Sequence, residues 1–172
     1  MGIYLYFVFV TLCHALFLLK AKSIDENQSK RKLWLTHYTI NAILWIILIL
    51  WIVLIQFSSS KINYSLLTEL LGFGVFLMGF LLAGISLSKL GINQAMGYRF
   101  FSAKKHDWIS SGSYSFLHNP IYDGFVLVFI GLGLWRGIII DFYLASISFL
   151  LLNVFLASVE KEKTQLELDE LI

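Results

Sequence analysis

The run G-S-Y-S-F-L-H-N-P-I-Y-D-G, from Gly112 to Gly124, lies between a polar loop and a long apolar stretch and holds the chain's one proline, Pro120. Asn119 is a good helix N-cap, because its side-chain oxygen can accept from an orphan backbone N–H of the first turn. Pro120 suits the first helical position, where no N–H is missed and φ is already helical. The pair predicts a helix that starts at the edge of a membrane, with its positive dipole end facing His118, Tyr122 and Asp123. Such a start can receive a carboxylate or a phosphate. An N-P pair also serves simply to begin a helix.

Outward from this run, composition decides the class. The 172 residues are 58% hydrophobic and 14% charged, against roughly 25% charged in soluble domains. The expected fold is all-α: a polytopic membrane bundle of about five transmembrane helices, forming a single transmembrane domain over 1–172. Spans are placed at about 3–19, 34–57, 65–88, 120–135 and 138–158, each near the roughly 20 apolar residues a crossing helix needs. The fourth is short, and only Arg136 and Gly137 separate it from the fifth. The two are either a tight antiparallel hairpin, or the fourth does not cross fully on its own. The N-terminus lacks the basic region of a cleaved signal peptide, and Tyr6 stands where myristoylation wants Ser or Thr; the first segment is expected to stay and span. Cys13, the single cysteine, excludes an internal disulfide and reads as a small core residue.

The basic residues sort by side. Lys20, Lys22, Lys30, Arg31 and Lys32 fall in the 20–33 loop, Lys89, Arg99, Lys104 and Lys105 in the 89–119 loop, and Lys161 and Lys163 in the tail. Lys61 and Arg136 alone fall on the other side of an alternating topology. The positive-inside rule makes the side with eleven cytoplasmic, with the N-terminus outside and the C-terminus inside. The 89–119 loop, the start of the fourth span and the tail at 159–172 then share one face.

Several polar features invite chemistry, and each has a plainer reading. Glu160, Glu162 and Glu167 in the tail could hold a cationic ligand or could form a solvated helix end. His14 and His37 lie within spans, where ionisable residues are functional candidates; without a second ligand at helical spacing they read as hydrogen-bonded packing histidines. There is no H-x-x-x-H, no C-x-x-C and no carboxylate pair inside a span, so no metal is expected. Gly72, Gly74, Gly79 and Gly84 in the third span suit close helix packing, or close approach of a cofactor. Gly131-Leu132-Gly133 has no strand before it and is no dinucleotide fingerprint. Trp45, Trp51, Trp108 and Trp135 suit interfacial anchoring or lipid contact.

The pattern G-x-Y-x-F-x-H-N-P-I-Y-x-G, the hydrophobic hairpin after it and the Glu-rich exit resemble the integral-membrane methyltransferases. These include the phospholipid (phosphatidylethanolamine) N-methyltransferases and the isoprenylcysteine carboxyl methyltransferases. Gly112, Tyr114, Pro120, Tyr122 and Gly124 match the shared frame, and Asn119 matches the asparagine of the phospholipid branch. K-L-G at 89–91 and G-Y-R-F-F at 97–101 are similar to that branch's loop after its third helix. The resemblance covers roughly residues 70–170. His118 stands where many members have arginine, Asn119 where many have histidine, and E-K-E-K replaces the E-E pair near the end.

The resemblance implies S-adenosylmethionine bound on the cytoplasmic side, in agreement with the charge count. It implies cofactor contacts from Gly79, Tyr114, His118, Asn119, Pro120, Tyr122, Glu160 and Glu162, with His118 and Tyr122 catalytic. The helix start can receive the cofactor carboxylate, and tail glutamates its positive charges. The expected acceptor is a membrane lipid amine of the phosphatidylethanolamine type. A lipidated substrate, the isoprenylcysteine carboxylate, is the alternative. A membrane reductase with a similar H-P-x-Y-x-G run and a non-enzymatic membrane module are further alternatives. No nucleic-acid partner is expected.

Overall fold

The computed structural model describes residues 2–24, 27–59, 61–101 and 111–159, and every regular element among them is helical. The long helices are α1 (Gly2–Lys22), α2 (Asn27–Ser58), α3 (Leu66–Leu90), α5 (Pro120–Arg136) and α6 (Ile139–Val159). A single turn, α4 (Ile92–Ala95), and two 3-10 turns, Tyr98–Phe101 and Gly112–Ser115, occupy the loop between α3 and α5. The chain is an all-α bundle. α1, α2 and α3 are long and apolar enough to cross a membrane, while α6 is a shorter apolar helix over Ile139–Phe155. α5, at 17 residues, is about 25 Å long at 1.5 Å per residue.

Local chemistry sets the ends. The Ser65 hydroxyl accepts from the Thr68 N–H to start α3, and Gly91, at φ 81°, stops it by donating to the Leu87 carbonyl. α2 runs to 32 residues, about 48 Å, so it outreaches a hydrocarbon core of about 30 Å. Its surplus is the N-terminal end with Lys30, Arg31 and Lys32. Of the two arrangements open for α5 and α6, the structure has the tight antiparallel hairpin. Gly137 makes the turn at φ 67° and caps α5 by donating to the Gly133 carbonyl. A side chain there would run into the Ile62 carbonyl, since the Ile62 N–H donates to the Gly137 carbonyl at 2.7 Å.

The tightest seam joins α3 to α5. Of the four glycines of the third span, Gly72 and Gly79 are buried on α5, while Gly74 and Gly84 face no other described residue within 4 Å. Gly72 lies opposite Trp135, Phe76 opposite Gly131, Gly79 opposite Val128 and Ala83 opposite Gly124, an antiparallel register without a slip. Backbones touch because glycine offers no Cβ to hold them apart, which is how helices associate where lipid removes the hydrophobic drive. α1 packs against α2 and α6, and α6 against α5. One core cluster gathers Ile3, Phe7, Leu48, Phe129, Leu144 and Ala145. A second gathers Leu18, Ala21, Phe101 and Phe155 at the end where α1 and α6 finish and α2 and α5 begin.

Candidate functional site

That end of the bundle collects the motif residues. Asn119 caps α5 as its sequence predicts: the Tyr122 N–H donates to its Oδ1 at 3.4 Å, and the Asp123 N–H to its backbone carbonyl at 3.1 Å. Pro120 is fully buried at the first helical position. His118, just outside the cap, is exposed, and Asp123 is half-buried one turn into the helix. Tyr122 lies against the Leu18, Ala21, Phe101 and Phe155 cluster.

The loop ahead of α5 is tied back to α3 by hydroxyls. Ser86, fully buried, shares a 2.8 Å hydrogen bond with Ser113, and the Tyr114 hydroxyl donates to the Ser86 carbonyl at 3.4 Å. Gly112 turns at φ 67°, and a Cβ there would come within 2.7 Å of the Lys89 ammonium. Glycine is needed at 112 for its φ, because L residues are costly at positive φ, whereas the flexible lysine end can swing clear of a Cβ. The lysine of K-L-G is thereby laid across the first residue of the 112–124 motif.

The 98–101 turn packs against α1 and α2. There His14 Nδ1 and His37 Nε2 meet at 2.9 Å. Each histidine is taken up in a hydrogen bond and in ring packing, and neither meets a second ligand type among the described residues. What the sequence did not reveal is that they pair with each other, 23 residues apart. His37 is fully buried, with Trp34, Phe17 and Phe101 around it, while His14 stacks on Phe155.

The structure thus sets His118, Asn119, Pro120 and Tyr122 at the start of α5, and ties Ser113 and Tyr114 of the preceding turn to Ser86. It sets Gly79 deeper in the bundle, where α5 fills the space in front of it. Glu160 and Glu162 lie outside the described residues, as do Glu167 and Trp108. Among the described residues, no group of three His, Cys, Asp or Glu side chains could hold a metal ion. The serine link had a signal: Gly72, Gly79 and Ser86 are spaced by seven, as are Gly124 and Gly131, so small residues recur on one face of each helix.

A family model described as phospholipid methyltransferase matches residues 67–167, well over half of the chain. The chain belongs to the phospholipid methyltransferase family. No curated protein and no solved structure matches it. The phospholipid methyltransferase match takes in α3, the 89–119 loop, the α5–α6 hairpin and the beginning of the tail, and leaves α1 and α2 outside. Membership, together with the apolar helices, makes this an integral-membrane protein of a methyltransferase family.

Proposed function

We propose that the chain is an S-adenosylmethionine-dependent methyltransferase whose acceptor is a lipid amine of the phosphatidylethanolamine type. The observation that carries this reading is the capped, buried start of α5. Asn119 and Pro120 form it, and Tyr114 and His118 stand around it. The donor set fits the cofactor: the positive pole of α5 suits a carboxylate, and Asp123 suits a cation. Bound there, the cofactor supplies an electrophilic methyl group. The chain's own part is to bind, orient and desolvate. His118, exposed at the boundary, takes the proton an ammonium must lose before its nitrogen can attack, since imidazole is suited to proton transfer near neutral pH. Tyr122 orients the reacting groups, Glu160 and Glu162 hold the cofactor's positive charges, and Gly79, which the resemblance places at the cofactor, instead seats α5 on α3. Lys89, Arg99, Lys104 and Lys105 attract the lipid phosphate, each by about 1 kcal/mol at a membrane surface. We also read α5 and α6 as crossing together, which makes five spans, with the N-terminus outside and the site cytoplasmic.

Labelled S-adenosylmethionine offered with phosphatidylethanolamine or with a prenylated cysteine tests the acceptor. The lipid amine should take the label at a rate that rises with pH, and His118→Ala should slow it sharply. A carboxylate attacks as the anion, so its methylation would be flat above roughly pH 5 and indifferent to loss of a base. Label in the prenyl-cysteine and none in the lipid would overturn the choice.

A further inference from the structure

The His14–His37 bond is the middle of a longer chain. His14 stacks on Phe155 with centroids 5.3 Å apart and planes 28° apart. His37 stacks on Phe101 at 5.1 Å and 27°. Four rings therefore run Phe155, His14, His37, Phe101 and join α6, α1, α2 and the 98–101 turn. The two ends of the chain matter. Phe101 closes the G-Y-R-F-F stretch of the 89–119 loop, and Phe155 precedes Glu160 by five residues on the helix that leads into the tail. We infer that His14 and His37 are positioning residues for methyl transfer, clasping the 98–101 turn and the end of α6 at a fixed separation through their hydrogen bond. The inference rests on the reading above, in which Arg99 of the 98–101 turn attracts the lipid phosphate and the glutamates that follow α6 hold the cofactor.

Packing alone does not account for imidazoles here. Burying polar rings in an apolar interior is costly unless they are bonded, and two more aromatic hydrocarbons would fill the same space at less cost. His37 is buried with its Nδ1 unpartnered among the described residues, as is the Oδ1 of Asn41 one turn away. What the polar pair adds is direction. Stacked rings slide over one another easily, whereas a hydrogen bond of 2.9 Å holds one rotation of α1 against α2 and so one placement of each outer ring. The clasp lies on helices outside the family match at 67–167, which gives the first two spans a part in the reaction.

The test uses the full chain in lipid nanodiscs. His14→Phe with His37→Phe keeps four rings and removes only the hydrogen bond. S-adenosylmethionine affinity by calorimetry should weaken roughly three- to fifteen-fold, the worth of an interhelical hydrogen bond in a membrane, while the melting temperature stays near that of the parent. His37→Gln, whose amide can still bond to His14, should recover most of the loss. A second readout needs no cofactor. Spin labels at Ile92→Cys and Leu150→Cys, both exposed, in a Cys13→Ala background, should give a narrow distance distribution that broadens in the double phenylalanine variant. If the distribution stays narrow and cofactor affinity is unchanged, the pair is helix packing only and the inference falls. If the parent binds no S-adenosylmethionine yet the distribution broadens, the clasp stands and the cofactor reading falls. If the double variant loses its fold, the His37→Gln variant carries the test: cofactor affinity at the parent's value supports the clasp, and a loss equal to that of His37→Ala overturns it.

Discussion

Adding one methyl group to Gly79 should loosen the whole bundle, while adding it to Gly84, five residues on, should do nothing. A Cβ at Gly79 would sit 2.7 Å from the Val128 nitrogen and 2.8 Å from both the Gly124 carbonyl oxygen and the Leu127 Cβ. Ordinary contact begins at 3.4 Å, so α3 and α5 must part by about 0.7 Å, the difference between the two values. The obstacles are backbone atoms, which cannot swing aside. A gap of that size forfeits a quarter to a half of each van der Waals well of about 0.1–0.2 kcal/mol. Over roughly thirty atom pairs along the seam the loss is about 1–2 kcal/mol, within the usual cost of overpacking. Alanine's better helix propensity offsets little of this, since membrane helices stay helical when they separate. At Gly84 no atom of the described residues lies within 4 Å of the added Cβ, and the change should stay within about 0.5 kcal/mol. Unfolding in mixed micelles with rising detergent fraction, followed by tryptophan fluorescence, gives both values. Equal stability of Gly79→Ala and Gly84→Ala would refute the seam. An intact stability with weakened S-adenosylmethionine binding in Gly79→Ala would show instead that Gly79 serves the cofactor.

Reporter fusions after residues 62 and 105 should fall on opposite sides of the membrane, with 62 outside; the reverse would move the site off the cytoplasmic face. Glu160→Gln or Glu162→Gln should weaken S-adenosylmethionine binding about ten-fold or more, by loss of a charge-assisted hydrogen bond of roughly 1.5–3 kcal/mol; two unchanged dissociation constants would leave the tail a solvated helix end. Asn119→Ala should cost about 1 kcal/mol through loss of the cap to Tyr122 N–H, seen as earlier hydrogen exchange in the first turn of α5, and Asn119→Asp should restore it.

The fold was legible where a single segment carries its own evidence. Asn119-Pro120 starts a helix whatever surrounds it, because cap and ring act on the adjacent backbone. Gly137 ends α5 for the same kind of reason, with φ at 67°. The glycines of α3 were legible as packing residues but not individually, since the choice of Gly72 and Gly79 over Gly74 and Gly84 belongs to whichever helix lies opposite. The His14–His37 bond was out of reach for the same reason. Each histidine is ordinary on its own helix, and only the antiparallel docking of α1 on α2 brings the two ring nitrogens to 2.9 Å.

The seven-residue spacing resolves part of this, and it joins the fold to the site. Gly72, Gly79 and Ser86 are the buried residues of α3, in line along the face that meets α5. At the first two, deep in the bundle, α5 approaches so closely that no side chain fits. The third is level with Ile121, in the first turn of α5, where the loop that precedes the helix also reaches α3. A hydroxyl is right there and glycine would not be. Ser86 bonds to Ser113, and its carbonyl receives the Tyr114 hydroxyl, so the same stripe that welds two helices also fixes the loop leading to His118 and Asn119. Loss of the Ser86 hydroxyl should therefore disturb the site while leaving the glycine seam intact, whereas Gly79→Ala should disturb both.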